Sequence, residues 1–297
     1  MHRLSALLPL LLFSSSLLAL DPLVDSVWLM DHRGEKDLLL LDIQQPEQYR
    51  RVHIPGAVNA SFELWRTDKK SVLPGMLPPV TRLENLLGNL GIGNHSAVVI
   101  IAGGGHPGEM AAASRVFWTL TAMGHEKIAI LNGGLADYAK RFPRDLTKGS
   151  ESAIATRYKA APNSNLAADA ADIQAALKRQ QQLLDARTLG EFVGVFSAGP
   201  NERPGTIPGA KHLPFSWLID AQGGFRDKAA TIALFNYAGL DPKRDGTIHF
   251  CHTGTRAALT WFVDYAILGH RNAKLYDGSM SEWAAKKELP METRIEF

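Results

Sequence analysis

Short, almost wholly apolar runs recur along this chain, each ending at a polar or glycine-rich break. Leu38-Leu39-Leu40-Leu41 ends at Asp42, and Ala97-Val98-Val99-Ile100-Ile101 runs into a glycine cluster. Leu183-Leu184 ends at Asp185, and Thr247-Ile248-His249-Phe250 ends at Cys251. Runs this short and this continuously apolar predict strands buried on both faces, as in a parallel sheet. Helical spacing follows in the stretches Arg115 to Met123 and Ala257 to Leu268. The alternation predicts an α/β fold in which a mainly parallel sheet is flanked by helices.

The same landmarks occur twice. After Asp42 come Glu47, Tyr49 and His53-Ile54-Pro55-Gly56-Ala57; after Asp185-Ala186-Arg187 come Glu191, Phe192 and Thr206-Ile207-Pro208-Gly209-Ala210. Gly124-His125 is answered by Gly269-His270, and Leu131-Asn132-Gly133-Gly134 by Tyr276-Asp277-Gly278-Ser279. The step is 143 residues from Asp42 to Asp185, and 145 from Gly124 to Gly269 and from Gly133 to Gly278. It grows to 153 from Gly56 to Gly209, because an insertion rich in Gly, Pro and Asn lies between Phe196 and Gly205. Landmarks in one order at nearly one spacing indicate a duplicated domain. The expected organisation is a first domain over 21–146, a linker over 147–165 without apolar period, and a second domain over 166–297.

Ahead of the first domain, Met1-His2-Arg3 precedes an apolar stretch from Leu4 to Leu20, broken by Pro9 and serines. A basic start and a leucine-rich core predict a secretory signal over 1–20 and a periplasmic or secreted protein. An uncleaved N-terminal anchor is the alternative, and no later run is long and apolar enough to span a bilayer. With 45% hydrophobic and 21% charged residues the chain is of globular type. A net charge of +2, with no basic block beyond Lys69-Lys70 and Lys286-Lys287, gives no basis for nucleic-acid binding. The single cysteine, Cys251, rules out an internal disulfide, and without context it would read as a small core hydrophobe.

Its context is chemical. Cys251-His252-Thr253-Gly254-Thr255-Arg256 lies between a strand pattern and a helix pattern, at the carboxyl edge of an α/β sheet where ligands bind. Backbone N–H groups and the positive end of a helix there favour a thiolate and can hold a small anion, as can a nearby guanidinium. Gly254 permits the tight turn.

The segments Leu-Asp-Ala-Arg, Ile-Pro-Gly-Ala, strand-Cys-x-x-Gly-x-x-helix and Tyr-Asp-Gly-Ser-x-x-Glu-Trp resemble the tandem-domain rhodanese family (thiosulfate and 3-mercaptopyruvate sulfurtransferases), of the exported bacterial kind. The resemblance covers nearly all of the chain after the signal. It implies two tandem rhodanese-like domains, of which the second is catalytic, with Cys251 carrying sulfane sulfur as a persulfide. The sulfur would pass from an anionic donor to a thiophilic acceptor such as cyanide or a thiol, in a monomer without metal or organic cofactor. The first domain's loop, Gly103 to Glu109, has no cysteine and matches the family's non-catalytic half. The resemblance assigns Arg187 to the donor, with His252, Thr253, Gly254, Thr255 and Arg256 forming the substrate loop. Asp185, Asp277, Gly278 and Trp283 match positions that are mainly structural. A salt bridge is the other reading of Arg187, pairing with Asp264 or another carboxylate that of Arg256, and solvent exposure that of His252.

Two departures bear on the substrate. Thiosulfate-using relatives carry basic residues at the loop's second and third positions and mercaptopyruvate-using ones a small residue; His252 and Thr253 fit neither. Thr206 stands where many relatives have histidine, whereas the first half keeps His53. Among rivals, a cysteine phosphatase needs its arginine six residues after the cysteine, but Arg256 comes five after, with Ala257 in the required place. Gly103 to Gly108 lacks the Lys-Ser/Thr ending of a phosphate loop. A non-catalytic sulfur carrier or redox sensor using the same thiol is the alternative from another class.

Overall fold

In the computed structural model, residues 20–68, 70–199 and 202–295 are described. Of the expected signal or anchor only Leu20 falls within them; residues 1–19 lie outside. The apolar runs form two parallel sheets of one design. The first holds β1 (Leu23–Val24), β2 (Leu38–Asp42), β3 (Val58–Asn59), β4 (Ala97–Ile101) and β5 (Ile128–Leu131), in the order β1-β5-β4-β2-β3. The second holds β6 (Ala167–Ala168), β7 (Leu183–Asp185), β8 (Lys211–His212), β9 (Ile248–Phe250) and β10 (Lys274–Tyr276), in the equivalent order β6-β10-β9-β7-β8. Asp42 pairs in register with Ile101, and Asp185 with Phe250. The residues that follow the two central strands, Ala102 and Cys251, are therefore structural twins.

The helices are α1 (Ser26–His32), α2 (Pro46–Arg51), α3 (Val80–Asn89), α4 (Pro107–Ala122) and α5 (Gly134–Arg141) in the first half. The second half has α6 (Ala170–Lys178), α7 (Leu189–Val193), α8 (Lys228–Tyr237), α9 (Thr255–Phe262) and α10 (Ser279–Trp283). The twin helices α4 and α9 pack on each other, where the Phe117 ring meets Phe262 edge-on at 4.9 Å. One apolar cluster runs across this contact, from Val98 and Ile100 through Phe117 and Trp261 to Leu184 and Cys251. The opposite sheet faces close separately, around Val99, Ile101 and Tyr138 in one half and Ile248, Phe250 and Trp283 in the other. Consecutive strand residues thus feed different cores, which is why the runs are apolar at every position.

Helix α4 begins well before the predicted Arg115. Pro107 occupies its first turn, and His106 Nδ1 accepts the Gly108 N–H at 3.0 Å, a start signal that the apolar pattern does not contain. The predicted helix to Leu268 changes pitch after Phe262: Val263–Leu268 winds as a π-helix, ended by Gly269 at φ +92°. The wider turn buries Asp264, whose carboxylate lies 2.9 Å from His249 Nε2 and 2.7 Å from His270 Nδ1. Asp264 is thereby occupied and takes no part in holding Arg256. Residues 147–163 hold neither helix nor regular strand. They are pinned to the first half by bonds such as Thr156 N–H to Gly88 O at 2.9 Å and Ala161 N–H to Met123 O at 3.0 Å.

Candidate active site

The loop after β9 is fixed by its backbone. The Cys251 carbonyl accepts the Met280 N–H at 3.0 Å and the His252 carbonyl accepts that of Ser281 at 2.9 Å. In the other half, Ala102 and Gly103 accept from Leu135 and Ala136 at 2.8 and 2.9 Å. An alanine methyl therefore stands where the second half carries its thiol. Gly254 makes the turn into α9 at φ +76°, and a Cβ there would overlap the Arg115 guanidinium, so two separate constraints require glycine. Among the described residues, the N–H groups of 252–256 donate to no protein acceptor. They form a run of free donors at the N-terminus of α9, beside a cysteine that is 1% exposed, and the helix dipole adds to their pull on an anion.

The Cys251 N–H itself is taken. It donates to Ser279 Oγ at 3.1 Å, while the Ser279 hydroxyl donates to Tyr276 O at 2.7 Å. To do this Ser279 adopts φ +49°, the left-handed region that its twin Gly134 enters at +61°. A side chain in that conformation costs roughly 1 kcal/mol, a strain accepted where it orients the cysteine's backbone.

Three of the loop's side chains, those of Arg256, His252 and Thr253, meet a partner from elsewhere in the fold. Arg256 gives two hydrogen bonds to the Glu191 carboxylate, at 2.7 and 2.8 Å. Burial alone would push Glu191 up, but Arg256 and the Thr188 hydroxyl and N–H pull it down to about 2. Burial likewise works against the charge on Arg256, and Glu191 and the Cys251 thiol outweigh it, raising its pKa. His252 Nε2 lies 2.8 Å from Glu202 Oε1, in the insertion that lengthened the second repeat. Thr253 Oγ1 accepts from Arg66 Nη2 at 3.3 Å. Thr255 Oγ1 is buried without a hydrogen-bond partner. Arg187 turns toward its own strand end: Nη2 donates to Asp185 at 2.7 Å and to Gly205 O at 2.7 Å, and Nε contacts both oxygens of Asp185. Thr206, in the place of the expected histidine, donates to the same carboxylate at 2.8 Å.

His252, Thr253, Gly254, Thr255 and Arg256 thus surround Cys251, while Arg187 makes its hydrogen bonds within the β7 edge. Two arginines that the sequence did not single out come from the first half. Arg115 of α4 is fully buried; its Nη2 sits 2.5 Å from Asp277 Oδ1, and its guanidinium lies 4.6 Å from the Trp118 ring centre. Asp277 Oδ2 also accepts the Leu77 N–H at 2.8 Å, tying the loop after residue 66 to the second half. The twin contact is Asn132 Oδ1 accepting the Phe225 N–H at 2.8 Å. Only the cysteine side carries a carboxylate at this position, and only there does it balance a buried cation. Arg66 follows a 3-10 turn at Phe62–Trp65 and reaches Thr253 across 187 residues of sequence. Only the glycines at 75 and 254, which make room for these guanidiniums, hinted at the arrangement.

Among the described residues there is no group of His, Cys, Asp and Glu placed to hold a metal ion, and no helix is long and apolar enough to cross a membrane. A model of the rhodanese-like domain matches residues 25–141 and again 169–286. The chain is 30% identical over 279 residues to a Mycobacterium bovis protein provisionally named thiosulfate sulfurtransferase 1, covering 92% of this chain and 98% of that one. It is 30% identical over 281 residues to the 3-mercaptopyruvate sulfurtransferase of Escherichia coli, covering 91% and 97%. Among solved structures it is similar to SseA from Escherichia coli, a 3-mercaptopyruvate sulfotransferase, with a TM-score of 0.76 and 28% identity over 87% of this chain and 98% of that one.

Proposed function

This chain belongs to the rhodanese family, and from that premise we propose that it is a sulfurtransferase working through a Cys251 persulfide. The observation that carries the reading is the placement of Cys251 beside a run of unpaired N–H donors at the start of α9, with alanine in its place in the twin domain. Such a cradle favours a thiolate and, after reaction, the terminal anion of a persulfide.

The cycle is a double displacement. The Cys251 thiolate attacks the outer sulfur of an anionic donor, forming a new S–S bond. With thiosulfate, the old S–S bond breaks and its electron pair leaves on sulfite. With 3-mercaptopyruvate, the C–S bond breaks and the electrons leave as the pyruvate enolate, which takes a proton. Cyanide or a thiol then attacks the outer sulfur and frees the Cys251 thiolate. The N–H groups of His252, Thr253, Gly254, Thr255 and Arg256 hold the anion. Arg187 and Arg256, each already paired with a carboxylate, contribute field rather than direct contacts. The leucine-rich N-terminus supports export to the periplasm or beyond, testable by cell fractionation and N-terminal sequencing of the mature protein.

Incubation with thiosulfate or mercaptopyruvate should add the mass of one sulfur atom to the intact protein, removed again by cyanide as thiocyanate. Cys251→Ala should lose both the mass gain and all turnover with an unchanged melting curve. A wild-type protein that turns over no sulfane donor would leave only a carrier or sensor role for the thiol.

A further inference from the structure

Every other arginine at this site is matched to a carboxylate: Arg256 to Glu191, Arg187 to Asp185, and Arg115 to Asp277. Arg66 is the exception. Its hydrogen bonds go to two neutral acceptors, Gly75 O and Thr253 Oγ1, both at 3.3 Å. Among the described residues no carboxylate stands within ion-pair distance of it, although Glu63 and Asp68 line the same cavity of about 610 Å³ beside Gly75. Burial and the neighbouring Arg115 charge hold its pKa below the ordinary arginine value, with the Cys251 thiol and Asp277 acting the other way. A half-buried cation without a counter-ion is electrostatically costly, and an incoming anion removes that cost.

The duplication supplies the control. Arg66 directly follows the 3-10 turn Phe62–Trp65, and the residue directly after the twin turn Phe215–Leu218 is Ile219, which is buried. The fold therefore accepts an apolar side chain here. Ile219 belongs to the segment that packs against the cysteine-free loop, with Gly223 against Gly105, whereas Arg66 belongs to the segment that packs against the loop of Cys251. Gly75 is required beside it, because a Cβ at that position would overlap the guanidinium.

We propose that Arg66, supplied by the non-catalytic domain, binds the anionic head group of the sulfur donor (a sulfonate or a carboxylate) while Cys251 attacks its outer sulfur. The proposal rests on the sulfur-transfer reading for its substrate, but the charge recognition can be tested apart from it. Cys251 would be labelled with neutral methyl methanethiosulfonate and with the anionic sulfonatoethyl methanethiosulfonate, in wild type, Arg66→Met and Arg66→Lys. Arg66→Met keeps an apolar stem in place, and melting curves check that it folds. The expected result is a drop of roughly tenfold or more in the anionic-to-neutral rate ratio for Arg66→Met, largely restored in Arg66→Lys. In steady state the Met variant should raise KM for thiosulfate and for mercaptopyruvate by a similar factor, and cyanide should discharge a preformed persulfide at the wild-type rate. If only one donor's KM rises, that donor's head group is the one bound. Should the variant misfold, Gly75→Ala displaces the guanidinium and must give the same loss. A rate ratio unchanged in the folded variants overturns the role of Arg66. A lowered ratio in a protein that turns over no sulfane donor keeps Arg66 as an anion receptor and removes sulfur transfer instead.

Discussion

Replacing Glu191 by glutamine isolates the charge that neutralises Arg256 while keeping nearly the same shape. Both side chains are largely buried, at 5% and 24% exposed, so solvent screening reduces their interaction little. The fall of the Glu191 pKa from an ordinary 4.5 to about 2 corresponds to about 3 kcal/mol of preference for the ionised form in the folded chain. A carboxyl group depressed on folding stabilises above its unfolded pKa and loses that contribution as the pH falls through its folded one. The wild type should therefore exceed Glu191→Gln by about 3 kcal/mol at pH 7, a melting shift of about 6 °C or more for a chain of this size. The gap should close progressively between about pH 5 and pH 2. Chemical denaturation of both proteins across that range measures it directly. A difference that stays constant down to pH 3 would refute the argument, because lost packing does not titrate.

Two further outcomes follow from buried charges. Asp277→Asn strands the fully buried Arg115 beside the active loop and should cost about 3–5 kcal/mol in urea unfolding. Arg115→Met should cost a similar amount, and the double variant should be more stable than the sum of the single losses implies, by about 1 kcal/mol or more; strict additivity would mean that the two groups do not pair. Asp42 is buried at the end of β2, and burial raises its pKa to about 6 despite the opposing Gln44 hydrogen bonds and the His53 charge. A carboxyl raised on folding contributes stability below its unfolded value near 3.8 and loses it as the pH rises through about 6. Acidification from pH 7 to pH 4 should thus stabilise the wild type by up to about 3 kcal/mol through this group. Melting temperatures of Asp42→Asn, measured over that window, should lack this rise.

Much of the architecture was legible because it is written in local pattern. Leu38 to Leu41 and Ala97 to Ile101 must be strands buried on both faces, and the doubled Ile-Pro-Gly-Ala and Asp/Asn-Gly segments announce two copies of one domain. Cys251 could be placed at the carboxyl edge because the loop's character depends on its own backbone. The start of α4 at Pro107 and the π turn after Phe262 lie outside that pattern: a side-chain cap and a buried Asp264 determine them, not the spacing of apolar residues. The side chains around the thiol were harder still. His252 and Thr253 match neither of the two family loop patterns, and their partners, Glu202 and Arg66, lie in an insertion and in the other domain.

Taken alone, the sequence determined the duplicated α/β fold, the single cysteine and the glycine turn that follows it, since each depends on residues within one strand–loop–helix unit. The tertiary structure decided which charges around that loop are free and which are spent. Arg187 and Arg256 are held by Asp185 and Glu191 of their own domain, whereas Arg115 and Arg66 arrive from the other. Charge pairing between buried groups is set by distances of a few ångströms across the domain contact, between residues as far apart in the chain as Arg115 and Asp277, and no local pattern encodes it.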